Sequence, residues 1–159
     1  MYTNETSPEL LSNLDNSPFT QQQLADLNEQ ALAMINQQQA YKESHPPSAI
    51  YRVATEGSQT RRGGVVQQAT SPMAFTLDNG QKVKAAQKGD RVVYPDGSTA
   101  QIVTAAGEQY SHVALVGSYL SNGDEIINTL QNRCLIIGRV GVSKAEDFLP
   151  ALESLKHEA

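Results

Sequence analysis

The spacing of apolar residues divides the chain into three zones. Residues 1–48 are polar and rich in Gln and Asn, with apolar positions at helical spacing. Ser7 precedes Pro8, and Leu10, Leu11 and Leu14 follow on one side. This predicts a short helix with Ser7 as N-cap and Pro8 at its first position. A second start is better marked: Thr20 and Gln23 have capping-box spacing, and Phe19 and Leu24 hydrophobic-staple spacing. Leu24, Leu27, Ala31, Met34 and Ile35 then form one stripe at helical period, opposite Gln, Asn and Asp. That stripe needs an apolar partner, in its own domain or on another protein. His45-Pro46-Pro47-Ser48 reads as an extended linker.

From residue 49 to 130 the period shortens. AIYRVAT, GGVVQQA, MAFTL, KVKAA, RVVY, AQIVT and HVALV are short runs rich in β-branched residues. Asp78-Asn79-Gly80, Pro95-Asp96-Gly97 and Ser121-Asn122-Gly123 separate them, and such triplets mark tight turns. The expected fold is therefore mainly β. In the third zone, 131–159, CLIIGRVGV reads as one more strand. Ser143 and Glu146 have capping-box spacing for a last helix, with Phe148, Leu149, Leu152 and Leu155 as its apolar side and Pro150 as a kink.

Composition narrows the possibilities. A chain of 159 residues fits one domain with extensions, and with 6% aromatic residues and no Trp its core must be small and aliphatic. A net charge of −5 gives no nucleic-acid footprint. One cysteine, Cys134, excludes an intrachain disulfide. No apolar run approaches the ~18 residues of a membrane span. The start, MYTNETSPELL, lacks the basic and apolar regions of a signal peptide, so synthesis in the cytoplasm is expected, with any export by another route.

One outline is written three times. GSQTRRGGVV begins at Gly57, GDRVVYPDGSTAQIV at Gly89 and GSYLSNGDEII at Gly117, at intervals of 32 and 28 residues. Repetition at this period suggests repeated structural units around one axis. Gly57, Gly89 and Gly117 allow a bend that a Cβ would hinder. Ser58, Asp90 and Ser118 follow, each able to bond backbone beside the turn. Thr60, Val92 and Leu120 come two residues later, on one side of an extended chain. Gly63 and Gly64 would permit close backbone approach. Val65, Val66, Ile102, Val103, Ile126 and Ile127 are expected in the shared core, some at its base.

These stretches resemble the PAAR-repeat proteins, the small caps on the spikes of type VI secretion systems and related contractile injection machines. The resemblance rests on GSQTRRGGVV, then AAQKGDRVVYP and AQIV, then VALVGSYLSNGDEII, in that order, and covers about residues 49–130. It implies a conical β domain, flanked here by a helical N-terminal extension (1–48) and a C-terminal strand and helix (131–159). It implies that one copy caps a trimeric VgrG-type spike, sharpens the tip, links effector cargo, and is exported by the contractile apparatus. The role that the resemblance implies is mechanical and adaptive rather than catalytic.

Most members of that family hold zinc near the apex, which suits a small tip with little core. This chain departs from the pattern there. Arg62, Tyr94, Asp96 and Asn122 sit where ligands are expected. A metal-free apex, with no cofactor, is the resulting expectation, with hydrogen bonds or ion pairs replacing the metal. The other zinc-type ligands are His45, His112, His157 and Cys134, and Cys134 in an apolar run reads as a buried thiol. Ser111-His112 is a poor dyad, because strand neighbours point to opposite faces. Asp124-Glu125 reads as solvated surface after a turn. No phosphate-binding glycine loop is present. The alternative reading is an interaction module outside secretion, of chaperone or antitoxin type, supported by the stripe on residues 20–36.

Overall fold

The computed structural model describes residues 1–15 and 20–150. The chain is mainly β, built from small sheets with few helices. The described residues divide into two units, one of residues 1–4, 51–136 and 144–150, the other of residues 5–15, 20–50 and 137–143. The helical extension is thus an insertion: residues 1–4 belong with the β unit, where Tyr2 pairs with Thr129.

In the helical unit, α1 (Pro8–Asn13) starts as expected, with Ser7 Oγ accepting from the Leu10 N–H at 3.1 Å. α2 (Gln21–Ala25) carries both bonds of the Thr20–Gln23 capping box. The Phe19 half of the staple lies outside the described residues. The stripe is not one helix. α2 stops at Asp26, and α3 (Glu29–Ser44) restarts with Asn28 as N-cap, its Oδ1 accepting from Ala31 N–H at 2.8 Å. α3 then runs past Ile35 to Ser44, because Pro46 excludes helical geometry at His45 rather than earlier. The expected linker is correspondingly short, since β1 (Pro47–Arg52) begins inside it. Arg139 holds this unit together, donating to both Asp15 oxygens at 2.6 and 2.9 Å and to the His45 carbonyl at 3.0 Å. The guanidinium keeps the Asp15 carboxyl below its ordinary range, against the opposing effect of burial.

The β unit contains β2 (Val65–Val66), β3 (Ala74–Thr76), β4 (Lys82–Lys84), β5 (Arg91–Val93) and β6 (Thr99–Gln101). β2, β5 and β6 form one antiparallel sheet and β3 and β4 a hairpin, while β1 pairs with β7 (Leu135–Arg139). The HVALV run forms no strand; it makes single bridges to the other two repeats, Leu115 with Val53 and Val113 with Gln87.

The three repeats fold alike. Gly57, Gly89 and Gly117 have φ of +89°, +94° and +106°, a region that glycine enters without a Cβ penalty. Their N–H groups donate to Val66, Ile102 and Ile126 carbonyls at 2.7, 2.8 and 2.8 Å. The side chains of Ser58, Asp90 and Ser118 accept from the N–H three residues back, at Thr55, Gln87 and Leu115, at 2.9–3.0 Å. The repeats also close on each other. Ala54 N–H donates to Ala114 O, Ala114 N–H to Ala86 O and Ala86 N–H to Ala54 O, at 2.8–2.9 Å. This is a ring of three hydrogen bonds around an approximate three-fold axis.

A second ring surrounds the core. Each repeat sends out a hairpin, paired within itself at Gln59 with Val65, Arg91 with Gln101 and Tyr119 with Glu125. Between hairpins the pairs are Thr60 with Ile126, Val66 with Val92 and Ile102 with Leu120. Six hairpin arms therefore close in a cycle with no free edge, the arrangement that avoids unpaired strands. All six residues of the between-hairpin pairs are at most 3% exposed and, Thr60 apart, join Ala54, Ala86 and Ala114 in one apolar cluster. Val65, Val103 and Ile127, the partners assigned to the same core from sequence, are only half-buried.

The C-terminal expectation is corrected. Residues 143–150 hold no helix, and Leu152 and Leu155 lie outside the described residues. Tertiary bonds override the capping signal: Leu149 N–H donates to Ala105 O at 2.8 Å, and Asp147 Oδ2 accepts from Glu108 N–H at 2.9 Å. Pro150 supplies no N–H to extend a turn.

Candidate functional site at the hairpin tips

The three hairpins end in turns at Thr60–Gly64, Tyr94–Ser98 and Leu120–Asp124, each closed by an N–H···O bond between those residues at 2.8–2.9 Å. The second hairpin spans four more residues than its equivalents, Gly89 to Ile102 against Gly57 to Val66. The extra length carries the Tyr94 ring onto the core between the other tips.

The tips meet at Asp124. Its carboxylate is 2% exposed. Oδ2 accepts the Thr60 hydroxyl at 2.5 Å and the Tyr94 hydroxyl at 2.6 Å. Oδ1 accepts the Glu125 N–H at 2.8 Å and the Arg62 N–H at 3.2 Å. Asn122 Nδ2 donates to the Tyr94 oxygen at 2.9 Å, and the Arg62 guanidinium donates to the Asn122 carbonyl at 3.1 Å. Of these six residues, Thr60 and Arg62 come from the first hairpin, Tyr94 from the second, and Asn122, Asp124 and Glu125 from the third.

The electrostatics follow from these bonds. Burial pushes the Asp124 carboxyl up, but the Thr60 and Tyr94 hydroxyls and the two N–H donors outweigh it, and the net shift is downward. Burial, then the bond to the Asp124 carboxylate, pushes the Tyr94 phenol up, so it stays a donor. Thr60 Oγ1 also accepts from Gly64 N–H at 2.9 Å. A Cβ on Gly64 would lie 2.5 Å from Val92 Cγ1 and 2.9 Å from Tyr94 Cε1, so glycine is required for the tips to close. Gly63 has open space; its φ of +91° is what demands glycine.

The residues singled out from sequence are placed as follows. Arg62, Tyr94 and Asn122 converge, whereas Asp96 does not join them. Asp96 accepts from Ser98 N–H and Ser98 hydroxyl at 2.9 and 2.6 Å, bonds that lower its carboxyl from the ordinary range. It lines a shallow cleft with Arg62, Tyr94 and Asn122. Asp124 is a correction. It is buried and central, not solvated, and only its neighbour Glu125 stands toward solvent, paired with Arg61 at 3.2 Å. The sequence did hold a signal. Thr60 is polar at an interior position where the other repeats have Val92 and Leu120, and a buried hydroxyl needs a partner.

The donor set does not suit zinc. One carboxylate already takes four donors, and the hub brings it no imidazole or thiolate. Among the described residues no three His, Cys, Asp or Glu side chains stand together as a metal cluster. Cys134, expected as a buried thiol, is only half-buried against a different apolar cluster, where burial still pushes its thiol up, and His112 is exposed with φ of +56°. The stripe proposed for docking is broken by the turn before α3. Leu24, Leu27, Ala31 and Ile35 are half-buried and Met34 is 62% exposed. No helix among the described residues is long and apolar enough to cross a membrane. Comparison with family models, curated proteins and solved structures finds no match.

Proposed function

We propose that this protein is a spike-tip cap of the PAAR-like kind, without zinc, seated one copy per trimeric VgrG-type spike of a type VI or related contractile injection system. The observation that carries the reading is the closed ring of hydrogen bonds through Ala54, Ala86 and Ala114. A single chain that repeats its backbone three times about one axis offers three near-equivalent surfaces, which suits a three-fold partner. The hub at Asp124 supports the metal-free form of the proposal, since hydrogen bonds join all three tips where the resembling family uses a metal. The role is mechanical and adaptive, with the hairpins converging on a point and the helical unit available to effector cargo. Export would proceed with the spike.

Native mass spectrometry of the protein with the trimeric spike protein encoded in its genome tests this. One copy per trimer, with no mass excess for a metal, is expected. Absence of a complex at micromolar concentrations would refute it and favour an interaction module outside secretion.

A further inference from the structure

The hairpin ring of the β unit closes on itself, but the β3–β4 hairpin leaves an edge open. Leu77 N–H donates to Gln81 O and Ala85 N–H to Met73 O, both at 2.8 Å. Hydrogen-bonded and non-bonded positions alternate along an antiparallel pair, so Phe75 bonds Val83, and the N–H and C=O groups of Ala74 and Thr76 point away from β4. The outer edge of β4 is taken: Lys84 N–H donates to Glu56 Oε1 at 2.8 Å, and Lys84 O accepts from Glu56 N–H at 3.0 Å. Among the described residues nothing bonds the outward groups of Ala74 and Thr76.

A cleft of about 290 Å³ runs along this edge, with residues 74–78 as one wall and Tyr2, Leu130 and Arg133 on the other. Five consecutive residues line it, whereas a cleft over a sheet face would touch every second one. Arg133 reaches Asp78 across it at 3.6 Å, with both side chains largely exposed, an ion pair of little strength.

Unpaired edges invite other chains, and proteins guard them with charge, proline or a bulge on the edge strand. Ala74, Phe75 and Thr76 carry no charge and no proline. The charge sits one strand further in. Register puts Lys84 opposite Ala74 and Lys82 opposite Thr76, on a shared, exposed face. Phe75 and Val83 share the other face, where Val83 is buried and Phe75 packs on the apolar cluster of Val53 and Leu115. Lys82, Lys84 and Arg133 outnumber Asp78, and Glu56 is engaged beyond β4, so the edge is cationic on a chain of net charge −5.

We propose that β3 is a docking edge for an extended acidic segment of another protein, which adds in the cleft as a further strand. Antiparallel pairing gives it two backbone bonds at each of Ala74 and Thr76. Its residues at those positions aim carboxylates toward Lys84 and Lys82, over side chains short enough not to block them. Between them, an apolar residue beside Phe75 extends the core face. Backbone bonds supply affinity, and the alternation of acidic and apolar side chains supplies specificity. A second copy of this chain fits less well, because pairing β3 with itself sets two lysine pairs in one sheet. Neither the open edge nor its charge depends on the spike-tip reading.

The test uses the full chain and a short capped peptide alternating Glu and Val, with a Lys–Val peptide as control. Millimolar Glu–Val peptide should slow amide exchange at Ala74 and Thr76 roughly threefold and leave the already bonded Phe75 amide unchanged, while the Lys–Val peptide has no effect. Thr76→Pro removes an outward N–H that bonds nothing in the free protein, so the variant should keep its cooperative melt and lose the protection at Ala74. Lys82→Glu combined with Lys84→Glu should transfer the preference to the Lys–Val peptide. Absence of protection by the Glu–Val peptide, equal protection by both peptides, or an unchanged preference after charge reversal would overturn the proposal. So would full protection in a well-folded Thr76→Pro variant; if that variant melts without cooperativity, the charge reversal decides alone. Protection that grows with protein concentration without peptide, together with a doubled mass, would assign the edge to a second copy and overturn the acidic partner.

Discussion

Replacing Asp124 by Asn changes one atom of the tip hub and removes its charge. The hydroxyls of Thr60 and Tyr94 and the N–H groups of Arg62 and Glu125 all point at that carboxylate. Asn keeps one oxygen and presents an amine where the other stood, so at least two donors lose an anionic acceptor. Bonds to charged groups contribute about 1.5–3 kcal/mol each, and an unpaired buried donor costs about 1–3 kcal/mol. Because the hydroxyls can rotate to accept from the amine, we expect a net loss of about 3 kcal/mol. For a chain of this length that is roughly 6–12 °C in Tm. The effect must also depend on pH. The folded carboxyl lies below its ordinary value, so as pH falls the unfolded chain takes the proton first. Stability from Asp124 is therefore complete above about pH 5 and fades as pH falls through the folded value, below the ordinary ~3.9. Thermal melts of both proteins by circular dichroism at pH 7, 5 and 3 read this directly. The gap should be full at pH 7 and 5 and narrow toward pH 3. A gap under about 1 °C at pH 7, or one that stays constant to pH 3, would refute the hub as an ionic tie between the tips.

Three further outcomes follow from the packing. Ala54→Val, Ala86→Val and Ala114→Val each overfill the same kind of site, at most 1% exposed, so each should lower stability by about 1–3 kcal/mol and by similar amounts in urea titrations. Gly64→Ala should cost about 1–3 kcal/mol in the same titrations, and Val92→Ala should recover part of it by clearing the 2.5 Å approach. Arg139→Leu leaves the largely buried Asp15 carboxylate unpaired, so amide exchange across α1 and the last turn of α3 should rise at least tenfold while the alanine-ring amides stay protected.

Local signals in the sequence were legible and distant ones were not. Ser7, Thr20 and Gln23 cap helices through bonds within three residues, and those helices start where the spacing says. The break before α3 depends on an equally local cap, Asn28, hidden because the apolar stripe runs through it in register. The three glycine turns were visible as repeats. Their cyclic pairing was not, since each ring bond joins residues 28 to 60 positions apart, as from Ala54 to Ala114. The C-terminal capping box failed for the same reason, because the bond from Leu149 to Ala105 belongs to another part of the chain. Asp124 was misplaced because an acidic pair after a turn is usually solvated. What buries it is the longer second hairpin bringing Tyr94 across the axis.

That asymmetry explains how a three-fold backbone can close its tip without a metal. Three identical tips would bring three identical side chains to the axis, which suits a central ion but not a single hydrogen-bond acceptor. Here the repeats differ in role: the third supplies the acceptor Asp124, the first a short donor at Thr60, and the second, four residues longer, a donor on a long ring at Tyr94. Gly64 leaves room for that ring, Asn122 donates to its hydroxyl, and Arg62 holds the Asn122 carbonyl. The departure from symmetry is confined to the side chains and one hairpin's length, so the backbone rings stay closed while the tip gains a specific, charge-assisted tie.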